Sequence, residues 1–306
     1  MNNNKLIHES KIHGQDKFSF SIYHSLVPCC LTSFPLHWHD EIEITYMKKG
    51  CADFYICNQL YTAHEGDILI SNTKYPHSMQ QYKDESADYF SILINTKLLQ
   101  QDMKSEVIHD ELIDKIRRIE DASLIFPPFI KADSELAKSL CPFLDNIIEH
   151  RKECYSEYQL LVLGNILIVF NYLLKNTCST DKNICEFKYD FSKIKPAVHA
   201  VHNQYEQKLL IQQVASMCNL SKSHFMKLFK NITGKGFNEF LIEHRLHMAS
   251  LMLKNTDDKL IDVSVNCGFE NQSYFTRCFT KHFKMTPSQF RRKNLNQHYG
   301  EIMDQH

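Results

Sequence analysis

Two groups of side chains in this 306-residue chain have the types and spacings that do chemistry. The first lies toward the carboxyl end. Ser223, Met226, Lys227 and Lys230 form one set; Gln272, Ser273, Thr276, Arg277 and Lys281 form another. Steps of three and four residues place each set on one face of a helix. An arginine can pair bidentately with guanine, a glutamine with adenine, and a lysine can reach guanine or a phosphate. Ser273 and Thr276 are short enough to permit close approach, and the Thr276 methyl suits a thymine methyl. Met226 offers only an apolar contact, such as one to a methyl group. Lys230 and Lys281, further along their helices, suit phosphates. The second group is His37, His39, Glu43 and His77. Three imidazoles and a carboxylate can line a polar effector pocket, serve as structural histidines, or hold a divalent metal such as Fe, Mn, Ni or Zn.

The elements that must position the first group repeat at about 50 residues. Ile211, Val214, Ala215 and Cys218 follow helical spacing, as do Leu260, Val263, Ser264 and Cys267. Each short helix ends at a turn carrying Asn219 or Gly268, residue types that tolerate a left-handed backbone. Ser221 and Asn271 are good N-caps for the helix that follows. In that helix Phe225, Leu228 and Phe229, or Phe275, Cys278 and Phe279, form the inner stripe. This leaves the polar and basic set outward, the layout of a helix-turn-helix. A helix predicted over residues 237–253 joins the units. Seventeen residues at ~1.5 Å span ~26 Å, against ~34 Å between successive major grooves on one DNA face. Two readers on one rigid connector therefore require bent DNA, or leave one less engaged. Arg245, amid the apolar lines of that helix, is expected in a structural ion pair.

From about residue 195 to 293 the chain resembles the DNA-binding domain of the AraC/XylS family of transcription regulators. The residues carrying the resemblance are LSKSHFMKLFKNITGKGFNEFL, RLHMASLMLKN and IDVSVNCGFENQSYFTRCFTKHFKMTPSQFRR. It implies seven helices, with two helix-turn-helix units joined by one long helix, and DNA-facing residues Ser223, Met226, Lys227, Gln272, Ser273, Thr276 and Arg277. Lys284 stands where the family favours glycine, and must take the backbone that glycine would have taken.

Residues 18–94 read as short strands, such as Ile42–Tyr46 and Ala52–Ile56, broken at Gly50, Asn58-Gln59 and Glu65-Gly66-Asp67. Many short strands imply a small antiparallel barrel or sandwich. Within them His37-Trp38-His39-Asp40-Glu41-Ile42-Glu43, followed by Gly50, resembles the first cupin motif. Gly66-Asp67 and Pro76-His77 resemble the second, although Asn72, Lys74 and Gln81 replace its usual proline, glycine and asparagine. His37, His39 and Glu43 share parity, so one strand would project all three to one side. Sensor domains of the AraC type resemble cupins while commonly lacking a metal, so the resemblance favours an effector pocket and no cofactor.

The expected fold is thus α+β: an N-terminal antiparallel, cupin-like β-barrel with flanking helices, then an all-α domain with two helix-turn-helix units. Residues 1–100 are expected to hold the sensor barrel and an N-terminal arm over about residues 1–17. Residues 101–175 are expected to be helical and to dimerise, 176–191 to be a polar linker, and 192–306 to bind DNA. Segment Tyr158–Leu174 is apolar nearly all round and is expected to be buried on several sides. It is too short for the ~20 residues of a membrane span, and no membrane is expected. Eleven scattered cysteines without a Cys-x-x-Cys pair suit reduced thiols in a cytoplasm. The net charge of −1 combines an acidic first part with a basic excess after residue 190, so only the second part suits a polyanion. These features imply a transcription regulator rather than an enzyme: an activator, a homodimer on promoter double-stranded DNA, working with RNA polymerase. Its effector would be a small molecule such as a sugar or related metabolite. The competing class is a metal-dependent cupin enzyme with an appended DNA-binding domain.

Overall fold

A computed structural model describes residues 20–28, 33–96, 110–121, 123–150, 158–179 and 182–292. The expected N-terminal arm and the adjacent Cys29 and Cys30 lie outside them. The chain forms two compact units, Met1–Pro28 with Leu36–Lys188 and Cys29–Pro35 with Tyr189–His306.

The first unit is the expected sheet-rich domain. Its strands are β1 (Phe20–Val27), β2 (Ser33–His37), β3 (Ile42–Ile56), β4 (Gln59–His64), β5 (Ile68–Ser71), β6 (His77–Gln81) and β7 (Ala87–Ile94), with short β8 (Leu124–Ile125) and β9 (Phe129–Ile130). The 15-residue β3 organises them. Its first half pairs antiparallel with β5 and β7, its second half with β4 and β6, and β2 extends from β6. Gly50 lies where β3 passes from one array to the other, just after a bulge between Met47 and Lys49. At φ +74°, a Cβ there would lie 1.9 Å from the Ser86 carbonyl oxygen, so the close approach of β7 requires glycine.

Helices α1 (Asp110–Glu120), α2 (Glu135–Glu149) and α3 (Tyr158–Lys175) pack on this sheet. Ile116, Leu140, Leu144, Ile147, Val162 and Ile166 share one hydrophobic core with Ile42, Ile44 and Ile92 of the strands. The described residues between 110 and 175 therefore complete the sheet's core, and β9 adds a strand to β5. Among the described residues α3 is the one helix long and apolar enough to cross a membrane, with mean hydropathy 1.4. It is buried along one stripe only. Val162, Ile166, Val169, Phe170 and Leu173 face the core, while Leu160 is 71%, Leu167 46% and Ile168 40% exposed. The expectation of burial on several sides fails because the helix packs chiefly against α2 and gives the shared core a single stripe.

The stretch expected to be a linker is corrected in its second half. Helix α4 (Lys182–Gln204) runs through it. Phe191, Ile194, Ala197, Val198 and Val201 are buried at helical spacing, so the apolar stripe begins inside a segment that composition alone marks as polar.

The second unit continues with α5 (Ile211–Met217), α6 (Lys222–Thr233), α7 (Phe237–Asn255), α8 (Leu260–Asn266), α9 (Gln272–Phe283) and a further helical segment starting at 287. Helix α7 is 19 residues long, two more than expected, and buries Phe237, Phe240, Leu241, Leu246, Met248, Ala249 and Leu253 around most of its circumference. Arg245 is structural, but its partners are carbonyls. Its Nε donates to Tyr205 O at 2.7 Å and its Nη2 to Gln207 O at 2.8 Å. These acceptors lie just beyond α4, which is why no acidic partner was legible in sequence.

Helix α7 also buries His244 and His247, 7% and 8% exposed. Among the described residues neither ring nitrogen of His244 has a hydrogen-bond partner. Burial, with the charges of His202 and His247 beside it, holds His244 well below the usual 6.5. Burial, aided by Lys254, His202 and His282, brings His247 down to about 4. Such groups fold neutral. As pH falls below 6.5 the unfolded chain takes up protons that the folded chain refuses, so stability is lost progressively until about pH 4. The melting midpoint of the second unit within the full chain is expected to drop across that window, and His247→Gln to flatten the drop. An unchanged pH slope in the variant would clear His247 of that role.

Candidate functional site

The helix-turn-helix geometry is built from local signals. Asn219 and Gly268 hold φ of +54° and +77°, turning the chain sharply after α5 and α8. The Ser221 Oγ accepts from His224 N at 3.3 Å, and the Asn271 Oδ1 accepts from Tyr274 N at 2.7 Å, starting α6 and α9 at matched places. Lys284 ends α9 with φ +58°, adopting the left-handed backbone expected of a glycine there.

Inward, Phe225, Phe229, Phe275 and Phe279 are fully buried. Outward, Ser223, Met226, Lys227 and Lys230 are all exposed on α6. On α9 Gln272, Ser273, Arg277 and Lys281 are exposed and Thr276 half-buried. Gln272, Ser273, Thr276, Arg277, Thr280 and Lys281 line a single shallow concavity. Two of its features were missed in sequence. Thr280, one turn beyond Thr276, belongs to the same surface and bonds back to Thr276 O at 2.8 Å. The Arg277 guanidinium carbon lies 5.3 Å from the centroid of the exposed Tyr274 ring, a cation–π contact that restrains the side chain. A spacing of i, i+3 signals that pair.

The second group also converges, though not by strand parity. His37 ends β2, His39 sits in the connection to β3, Glu43 is on β3 and His77 begins β6. The first three occupy two strands and a turn, so tertiary pairing, not alternation along one strand, brings them together. Backbone bonds fix the turn: Lys74 N donates to His39 O at 2.9 Å. Lys74, at the motif's glycine position, takes φ +64°. All four side chains are buried, and their ligand atoms lie within 4.8 Å of one another. Glu43 Oε2 is 3.1 Å from both His39 Nε2 and His77 Nε2, and Glu43 Oε1 accepts from Thr45 Oγ1 at 3.2 Å. Burial alone would push the Glu43 carboxyl up, but bonds to His39 and His77, and their charge, hold it well below the usual carboxylate range.

Comparison with known proteins adds to this geometry. Residues 31–139 match the AraC-like ligand binding domain family, and residues 214–293 match a helix-turn-helix domain family. The chain is similar to the HTH-type transcriptional regulator YdeC of Bacillus subtilis (strain 168), 23% identical over 261 residues, 85% of this chain and 87% of that one. The HTH-type transcriptional activator RhaR of Mannheimia succiniciproducens is also 23% identical, covering 84% of this chain and 87% of its own. Over 98 residues, 32% of this chain and 35% of the relative, identity to the lactose operon transcription activator of Staphylococcus xylosus is 33%. With an N-terminal ligand-binding domain ahead of two matched helix-turn-helix units, the chain belongs to the AraC family of transcription regulators.

Proposed function

We propose that this regulator reads DNA with α6 and α9 and acts as an effector-controlled activator. Arg277 and Gln272 would read bases on α9, with Ser273 and Thr276 allowing approach. Lys227 would read from α6 beside Ser223 and Met226, and Lys230 and Lys281 would hold phosphates. The observation that carries this reading is the exposure of both basic readers, Lys227 and Arg277, on helices whose opposite faces are locked by buried phenylalanines. Nineteen residues of α7 span about 28 Å, short of the ~34 Å groove repeat, so the bound duplex is expected to bend.

A small-molecule effector would enter the N-terminal unit beside the buried polar cluster of His37, His39, Glu43 and His77. The exposed apolar stripe of α3 supports homodimerisation through Leu160, Leu167 and Ile168. An activator that recruits RNA polymerase in the cytoplasm, and that catalyses nothing, completes the reading. The relatives named as activators support the sign of regulation.

The test is selection of binding sites from a random duplex pool, followed by Arg277→Ala. The variant is expected to lose ~1–3 kcal/mol at the selected site and to relax preference at one base pair. Equal losses on every sequence would make Arg277 a phosphate contact. Failure of the full chain to enrich any sequence at low salt, or metal-dependent turnover by the first unit, would overturn the regulator reading.

A further inference from the structure

The hydrogen-bonding pattern around Glu43 specifies more than a polar pocket. His39 Nδ1 lies 3.1 Å from the Glu41 carbonyl oxygen, and His77 Nδ1 lies 2.8 Å from that of Tyr75. A carbonyl oxygen only accepts, so each Nδ1 carries its ring's hydrogen. That leaves the two Nε2 atoms, and both point at the same oxygen, Glu43 Oε2. Neutral imidazoles would set two lone pairs against a carboxylate oxygen, which is repulsive. Positive charge among these atoms removes that repulsion, whether as protons added to the rings or the carboxylate or as one cation. Two imidazolium rings, with centroids 5.0 Å apart in a buried site, repel each other and lose hydration. One divalent ion supplies the same charge at a single point and turns both Nε2 lone pairs into bonds.

We propose that His37, His39, Glu43 and His77 bind one divalent first-row transition-metal ion. Three imidazoles and a carboxylate are borderline donors, suited to ions such as Fe, Co, Ni or Zn rather than to Mg or Ca. The ring of His37 is 4.1 Å from that of His77, which brings the third imidazole into the same cluster. Donors bound at about 2.1 Å can be at most about 4.2 Å apart, so a cluster within 4.8 Å closes on an ion with shifts under about 1 Å. The outer partners are already those of metal-bound histidines: backbone carbonyls hold the Nδ1–H of His39 and of His77, and Thr45 holds the second carboxylate oxygen. The ion would tie β2, β3 and β6 together at one point. This runs against the metal-free barrel expected from the family resemblance.

The experiment uses the untagged full chain, stripped with a chelator and titrated with Co²⁺ and, by competition, Zn²⁺. One equivalent is expected per chain, with visible Co²⁺ absorption of an N₃O ligand set and a raised melting midpoint of the first unit. Glu43→Gln and His77→Gln should each weaken binding by at least about 100-fold while keeping the metal-free circular dichroism spectrum. Should either variant fail to fold, Co²⁺-shifted imidazole proton resonances from three histidines in the unmodified chain would make the assignment instead. Binding of under a tenth of an equivalent would overturn the proposal. So would one equivalent held equally well by Glu43→Gln, or shifted resonances from other histidines. No DNA is used, so failure of the DNA-reading assignment and failure of this one are separately visible.

Discussion

Phe279→Ala is expected to cost about 3–5 kcal/mol and to abolish DNA binding without touching an outward-facing residue. Phe279 is fully buried in α9, and its ring lies 5.5 Å from Phe275, 4.4 Å from Phe283 and 5.4 Å from Phe290. These rings hold α9 against α7 and the helical segment after 287, so a cavity here loosens the element that presents Gln272 and Arg277. A native domain is stable by only ~5–15 kcal/mol, so the loss consumes much of what holds the second unit folded. Chemical denaturation of the full chain, followed by a probe in that unit, measures it. A loss below about 1 kcal/mol would mean that the aromatic cluster collapses to fill the space.

Gly268→Ala is the second large effect, at about 2–5 kcal/mol, and Gly234→Ala is its internal control. Both glycines have left-handed φ, +77° and +73°. A Cβ at Gly268 would lie 2.6 Å from Tyr205 O, 2.8 Å from Glu206 O and 2.9 Å from the Arg245 guanidinium carbon, whereas one at Gly234 meets nothing within 4 Å. The backbone cost of ~1–2 kcal/mol is common to both; overpacking of ~1–3 kcal/mol falls on Gly268 alone. The carbonyl of Tyr205 is held by Arg245 and is not free to retreat. Equal midpoints for the two variants would show that the turn yields and that Arg245 does not cage it.

The α-helical half of the molecule was legible because its determinants are local. Caps at Ser221 and Asn271, left-handed positions at Asn219, Gly268 and Lys284, and stripes from Phe225 to Phe229 and Phe275 to Phe279 lie within a few residues of what they control. Outward exposure of Lys227 and Arg277 follows from the same periodicity. Misreadings arose where a contact comes from elsewhere in the chain. Polar composition concealed helix α4, whose stripe only makes sense once Phe191 and Ile194 have something to pack on. Arg245 found carbonyls 38 and 40 residues away rather than a carboxylate. The amino-acid order by itself determined which histidines and which glutamate were available, and that two like units would bracket a connecting helix. Only tertiary structure decided that Glu43 and His77, 34 residues apart, share one oxygen-to-nitrogen contact, and that α3 leaves Leu160 and Leu167 uncovered. Periodicity reports a residue's side of its own element, whereas convergence depends on how separate elements pair, and that free energy is spread over the whole sheet.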